Sequence, residues 1–144
     1  MGQIAILLLV VASGMGLSVE AGLLGPLGEQ VGHLAATLSI FLVGALLLSV
    51  ALVFAPTRSL TGLMAQPRWM LTGGVLGPVY VIVLTVATPI IGVGTTMVGI
   101  LCGQVAASLA IDHFGLFGTP RRSMDLYRLS ALALILIALW ILHR

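Results

Sequence analysis

Residues 90–111 read IIGVGTTMVGILCGQVAASLAI, an apolar run without a charged side chain. A transmembrane helix needs about 20 mostly apolar residues, and this run supplies them. Its polar side chains are small hydroxyls and one amide, Gln104. Working outward, similar runs cover about 4–22, 33–55, 69–86 and 126–142. Gly25, Pro26 and Gly28 mark a turn after the first, with Glu29 and His33 on the rim, and Pro56 ends the second. A polar loop with Arg58, Gln66 and Arg68 leads into the third, and Thr88-Pro89 breaks the third from the fourth. Lipid-exposed backbone must satisfy its hydrogen bonds internally, and no strand-like alternation is present, so the five runs are expected to be helices.

Composition leaves little room for anything else. Hydrophobic residues make up 60% of the 144 positions and charged residues 7%. Mean hydropathy is +1.24. An ordinary globular domain is about 25% charged, so a soluble domain is excluded. The sequence predicts an all-α integral membrane protein, a single five-helix domain over 1–144. The first run lacks a basic n-region and similar runs follow at once, which favours a retained helix over a signal peptide.

The net charge of +2 has a local origin. All six basic residues are arginines, and five of them (Arg58, Arg68, Arg121, Arg122 and Arg128) fall on the N-terminal side of a five-helix path; Arg144 lies on the other. Arginine in short loops marks the cytoplasmic face, so the N-terminus is expected there. Trp69, Tyr127 and Trp140 sit near span ends, as interfacial anchors do. No basic run is interleaved with aromatics, which removes nucleic acid as a partner. Cys102 reads as a small core residue.

Ionisable groups inside a bilayer are costly and usually face a cavity or a partner. Glu20 is the leading candidate: counted from Ile4 it lies roughly 24 Å up the first helix. An acid in apolar surroundings is suited to exchanging a proton against a cationic or polar solute. The competing reading makes Glu20 an interfacial residue at the helix end. Gln104 needs partners for its amide, either a solute or another helix. Thr96 and Tyr80 complete the candidate substrate or proton site, although a threonine can bond back to its own helix and Tyr80 can simply pack. Asp112, beside an arginine-rich loop, reads as an ion-paired cap. His33 and His113 form no metal-ligand set, and no cofactor is implied. No HExxH, GxSxG, P-loop or CxxC is present, so the sequence does not point to an enzyme.

Small residues mark where helices meet. Gly92, Thr96, Gly99, Gly103 and Ala107 recur at helical spacing in the fourth run, and Gly73, Gly74 and Gly77 open the third. Such stripes permit close helix approach, within the chain or between subunits.

Several stretches together resemble the YdcZ-type family of small bacterial membrane proteins in the drug/metabolite transporter superfamily. They are Gly14-Met-Gly16-Leu-Ser-Val-Glu20, Phe41-Leu-Val-Gly44, and Trp69 with Gly73-Gly74-Val-Leu-Gly77. Gly92-Val-Gly94-Thr95-Thr96, Gly103-Gln104, Asp112-His-Phe-Gly115-Leu-Phe-Gly118, Pro120 and Arg128 continue the pattern. The resemblance implies a bacterial inner-membrane location and a five-helix half of a ten-helix inverted-repeat transporter. It also implies an antiparallel dimer, with an oppositely oriented homologue or with itself. The arginine bias favours the homologue. Where the family pattern leads one to expect Gln, this chain has Glu20, so the case for that acid rests on membrane chemistry. The function expected is a transporter subunit exporting a small polar or cationic metabolite or drug, with proton coupling. The alternative is a non-transporting subunit packed against a larger complex.

Overall fold

Backbone that faces lipid finds no water to bond, so apolar runs of this length close their hydrogen bonds along themselves. The computed structural model describes residues 2–55, 62 and 67–144. Five α-helices appear among them: α1 Gln3–Val31, α2 His33–Phe54, α3 Gly73–Ile91, α4 Val93–Phe114 and α5 Leu126–Leu142. A short 3₁₀ turn, Arg68–Thr72, leads into α3, and another, Leu116–Gly118, follows α4. The first four are long and apolar enough to cross a membrane. The 17 residues of α5 stand at the lower end of the usual range of about 17–25. Pro56, Arg58 and Gln66 lie outside the described residues.

The helix breaks are not where the prolines suggested. The Gly25–Gly28 segment is helical, with Pro26 inside α1, and Thr88-Pro89 is helical inside α3. The breaks fall instead on single glycines. Gly32 has φ 90°, ψ 142° and Gly92 has φ 81°, ψ 156°. This backbone region is essentially reserved for glycine, whereas proline is locked near φ −65° and cannot adopt it. Membrane helices tolerate an internal proline when neighbours take up the freed carbonyl. The first helix is therefore longer than the expected 4–22, and Glu20 is interior to it. It lies about 16 Å before the end of the helix.

The chain divides into two compact units, Met1–Ile90 and Ile91–Arg144. In the first, α1 packs on α2, and a glycine face of α1 receives both neighbours. A Cβ at Gly28 would lie 2.7 Å from His33 Nδ1 and 3.5 Å from Thr85 Cβ. One at Gly25 would lie 3.0 Å from Thr88 Cγ2. Phe41 of α2 packs over Gly77 of α3, 3.3 Å from where a Cβ would stand. Ala21, Leu24, Ala36, Val81 and Leu84 are buried.

In the second unit α5 packs on α4, and Leu139 comes within 3.8 Å of a Cβ built on Gly99. Gly115 caps α4 in the left-handed region (φ 63°, ψ 39°), and Arg121 folds over it to donate from Nε to the Phe114 carbonyl at 3.1 Å. Asp125 caps α5 by accepting from the Arg128 amide at 2.8 Å. The Arg128 guanidinium also pairs with Asp112 at 3.1 Å. Asp112 is thus held by the last helix, and its carbonyl accepts from the Arg122 amide at 2.9 Å.

One regularity emerges only from the folded chain. Gly32 and Gly92 are sixty residues apart, and the same shift pairs other buried positions: Ala21 with Val81, Leu24 with Leu84, Gly25 with Thr85, Gly28 with Thr88, and Ala36 with Thr96. The two glycine–threonine contacts, Gly25 to Thr88 and Gly28 to Thr85, exchange with one another under that shift. Helix, glycine break, helix is used twice.

Candidate functional site

Glu20, in the interior of α1, opens into a cleft of about 350 Å³. Its other walls come from α2: Ser39, Ile40, Val43, Gly44 and Leu47. Those positions recur at intervals of four along one face of a helix, which puts them in line beside α1. The small side chains of Ser39 and Gly44 leave the room, and Ile40, Val43 and Leu47 make the walls apolar. Ser39 donates its hydroxyl to the Ala36 carbonyl at 2.7 Å, so its proton is already committed. Glu20 is the sole charged group on the lining.

Tyr80, on α3, occupies the position sixty residues on from Glu20. Its phenol oxygen is buried without a hydrogen-bond partner among the described residues, and Tyr80 is not on the lining of the Glu20 cleft. Both candidates belong to the first unit. Three further buried polar atoms of that unit lack hydrogen-bond partners among the described residues: His33 Nδ1, Thr37 Oγ1 and Thr88 Oγ1. His33 and Thr88 lie against the glycine face of α1.

The other two candidates belong to the second unit. Thr96 is buried, and its hydroxyl donates to the Gly92 carbonyl at 2.8 Å, back-bonding to its own helix. Gln104 is exposed on α4, and its amide has no partner among the described residues. An amide left open on a membrane helix needs a ligand or another helix to satisfy it. Of the glycines expected at helix faces, Gly77 receives Phe41 and Gly99 receives Leu139, whereas Gly73 and Gly103 face open space. Gly92 is the break itself. Cys102 is half-buried, and no cluster of three metal-ligating side chains occurs among the described residues.

Sequence reasoning missed the α2 side of the cleft. Ser39 and Gly44 on one face of an otherwise bulky helix were the available signal, visible only once α2 is known to lie against Glu20.

Long apolar helices joined by short connections define the class: a multi-pass membrane protein. A family described as "Putative inner membrane exporter, YdcZ" matches residues 5–141. The chain belongs to that family. No curated protein and no solved structure gives a significant match.

Proposed function

We propose that the chain is one subunit of a dimeric secondary transporter that exports a small polar or cationic metabolite or drug in exchange for protons. The observation that carries this is the single carboxylate of Glu20, half-buried on an open and otherwise apolar groove between α1 and α2. A carboxylate at membrane depth needs its charge neutralised, and a proton or a cationic solute can each do so. Two ligands competing for one carboxylate give exchange: binding the solute expels the proton, and binding the proton expels the solute.

A five-helix unit of this kind corresponds to half of a ten-helix inverted-repeat transporter, in which substrate binds near the midplane between repeats. The open Gln104 amide and the uncovered face at Gly103 support a second subunit or a solute there. The arginine bias supports a cytoplasmic N-terminus, and hence a partner homologue of opposite orientation.

The test is reconstitution into liposomes, alone and with a homologue of opposite arginine bias, followed by efflux of a cationic dye under an imposed pH gradient. Gradient-driven efflux that disappears in Glu20→Gln supports the proposal. No efflux from either preparation, with no solute bound, would sink it.

A further inference from the structure

The segment that joins α4 to α5 folds back on the end of α4 and holds two arginines in place. Gly115, Phe117 and Gly118 have φ of 63°, 57° and 80°, and this tight reversal returns Arg121 over Gly115. There the Arg121 Nε donates to the Phe114 carbonyl at 3.1 Å, and the Arg122 amide donates to the Asp112 carbonyl at 2.9 Å. A guanidinium has five N–H donors, of which Arg121 spends one on the helix end. Its Nη groups and the Arg122 guanidinium make no hydrogen bond or ion pair among the described residues. The acids nearby are already committed: Asp112 pairs with Arg128, and Asp125 accepts from the Arg128 amide. The same segment carries an apolar edge, where Phe114, Leu116 and Phe117 are exposed, Phe117 by 71%.

We propose that Arg121 and Arg122 form a binding site for the phosphate of an anionic phospholipid, whose acyl chains lie against the apolar edge of Phe114, Leu116 and Phe117. The segment connects two apolar helices that pack on each other, so it stands at a membrane surface, level with the headgroups. Arginine keeps its charge throughout the physiological range, and its fork of donors matches phosphate oxygens. An anionic lipid brings a phosphate without a cation of its own. In a zwitterionic lipid the headgroup ammonium competes with the two guanidiniums for that phosphate. An acidic protein surface would also satisfy the arginines, but it would not bring hydrocarbon to the exposed aromatic edge. Anchoring of the α4–α5 junction by lipid is independent of what the Glu20 groove binds.

The experiment titrates the full chain, in detergent micelles, with dioctanoyl phosphatidylglycerol and with dioctanoyl phosphatidylcholine, and counts bound lipid by native mass spectrometry. Phosphatidylglycerol should bind about tenfold or more tighter, since each arginine near an anionic headgroup is worth about fivefold. Arg122→Gln should lower that preference by about fivefold, and the double variant Arg121→Gln/Arg122→Gln should abolish it. Arg122→Gln keeps the backbone amide that ties the loop to Asp112, and unchanged phosphatidylcholine binding checks that both variants are folded. Arg144→Gln removes the same charge beyond the other end of α5 and should leave the preference intact. Equal affinities for the two lipids in the unaltered protein overturn the site. So does a preference that Arg144→Gln lowers as much as Arg122→Gln, which would make it an effect of net charge. Displacement of the lipid by glycerol phosphate at equal concentration would make the ligand a free phosphate and overturn the lipid. No preference, together with a copurifying protein that the double variant loses, would make the loop a protein-docking surface instead.

Discussion

The helix pair α1–Gly32–α2 and its later counterpart, α3–Gly92–α4, share a frame and differ in chemistry. Each breaks on one glycine with φ near 80–90° and ψ near 140–160°. Positions sixty residues apart are buried alike, from Ala21 and Val81 to Ala36 and Thr96. The side chains on that frame diverge. Where the first has Glu20, Gly25, Gly28, Ser39 and Gly44, the second has Tyr80, Thr85, Thr88, Gly99 and Gln104. Backbone breaks and buried size set the architecture; the polar side chains at equivalent positions are free to specialise. Glu20 in one copy stands where Tyr80 stands in the other.

The largest effect expected from upsetting this division falls on Glu20. Glu20→Gln keeps the shape and removes the charge, and cation affinity should fall by about 10–100-fold, the worth of a hydrogen bond to a charged group. Helix content should not change. Calorimetric titration of an aromatic primary amine reads the affinity, and circular dichroism reads the fold. Retained binding would move the cation site elsewhere. A helix that unravels would make the acid structural.

Next come the breaks themselves. Gly32→Ala and Gly92→Ala each force a side chain into backbone space that glycine alone occupies easily, at a cost of about 1–3 kcal/mol. If the two breaks are equivalent, their costs should agree within about 0.5 kcal/mol. Gly115 is the contrast, because its left-handed conformation is one that asparagine tolerates. A Cβ there would also stand 2.6 Å from Arg121 Cγ and 3.3 Å from the Thr119 carbonyl oxygen, so the arginine must shift. On backbone strain, Gly115→Asn should cost less than Gly92→Asn. Unfolding in graded mixed micelles ranks all four variants. A Gly92 change as mild as that at Gly115 would break the comparison.

How much of this was legible beforehand follows from the same contrast. Five apolar helices were readable, because length and hydropathy are properties of a contiguous run. The family resemblance was readable too, because it rests on scattered glycines in order. The breaks were misplaced because proline and glycine both interrupt helices in water, whereas these helices absorb Pro26, Pro78 and Pro89. The sign of φ separates Gly32 and Gly92 from the glycines inside the helices, and no residue letter carries it. Glu20 was singled out as the lone acid of its run, but its surroundings depended on where α1 ended. Once that end moved to Val31, Glu20 no longer stood at the end of α1, and α2 became the other wall.

A smaller effect separates the glycine copy from the threonine copy. Gly28→Ala would put a Cβ 2.7 Å from His33 Nδ1, and overpacking of this kind costs about 1–3 kcal/mol. Thr88→Ala does the opposite. It deletes a buried hydroxyl that has no partner, so the lost contacts are offset by relief of an unmet polar group, and stability should change by less than about 1 kcal/mol. Opposite rankings in the same micelle assay would show that Thr88 is the better-satisfied group and that the glycine face has slack.

The smallest effect is expected in the second unit, where a charge pair does part of the work that glycine packing does in the first. Arg128 pairs with Asp112 at 3.1 Å, but the two side chains are 27% and 37% exposed. Partly solvated pairs contribute roughly 0.2–1 kcal/mol, less in high salt. The geometry of this corner is set as much by the Asp125 cap and by the Arg122 amide on the Asp112 carbonyl, neither of which needs the guanidinium. Arg128→Gln keeps much of the apolar stem and should therefore cost less than about 1 kcal/mol. A double-mutant cycle with Asp112→Asn isolates the pair from the cap. A coupling well above that figure would mean that the corner excludes water in the bilayer, and that the junction of α4 and α5 depends on charge as the junction of α1 and α2 depends on glycine.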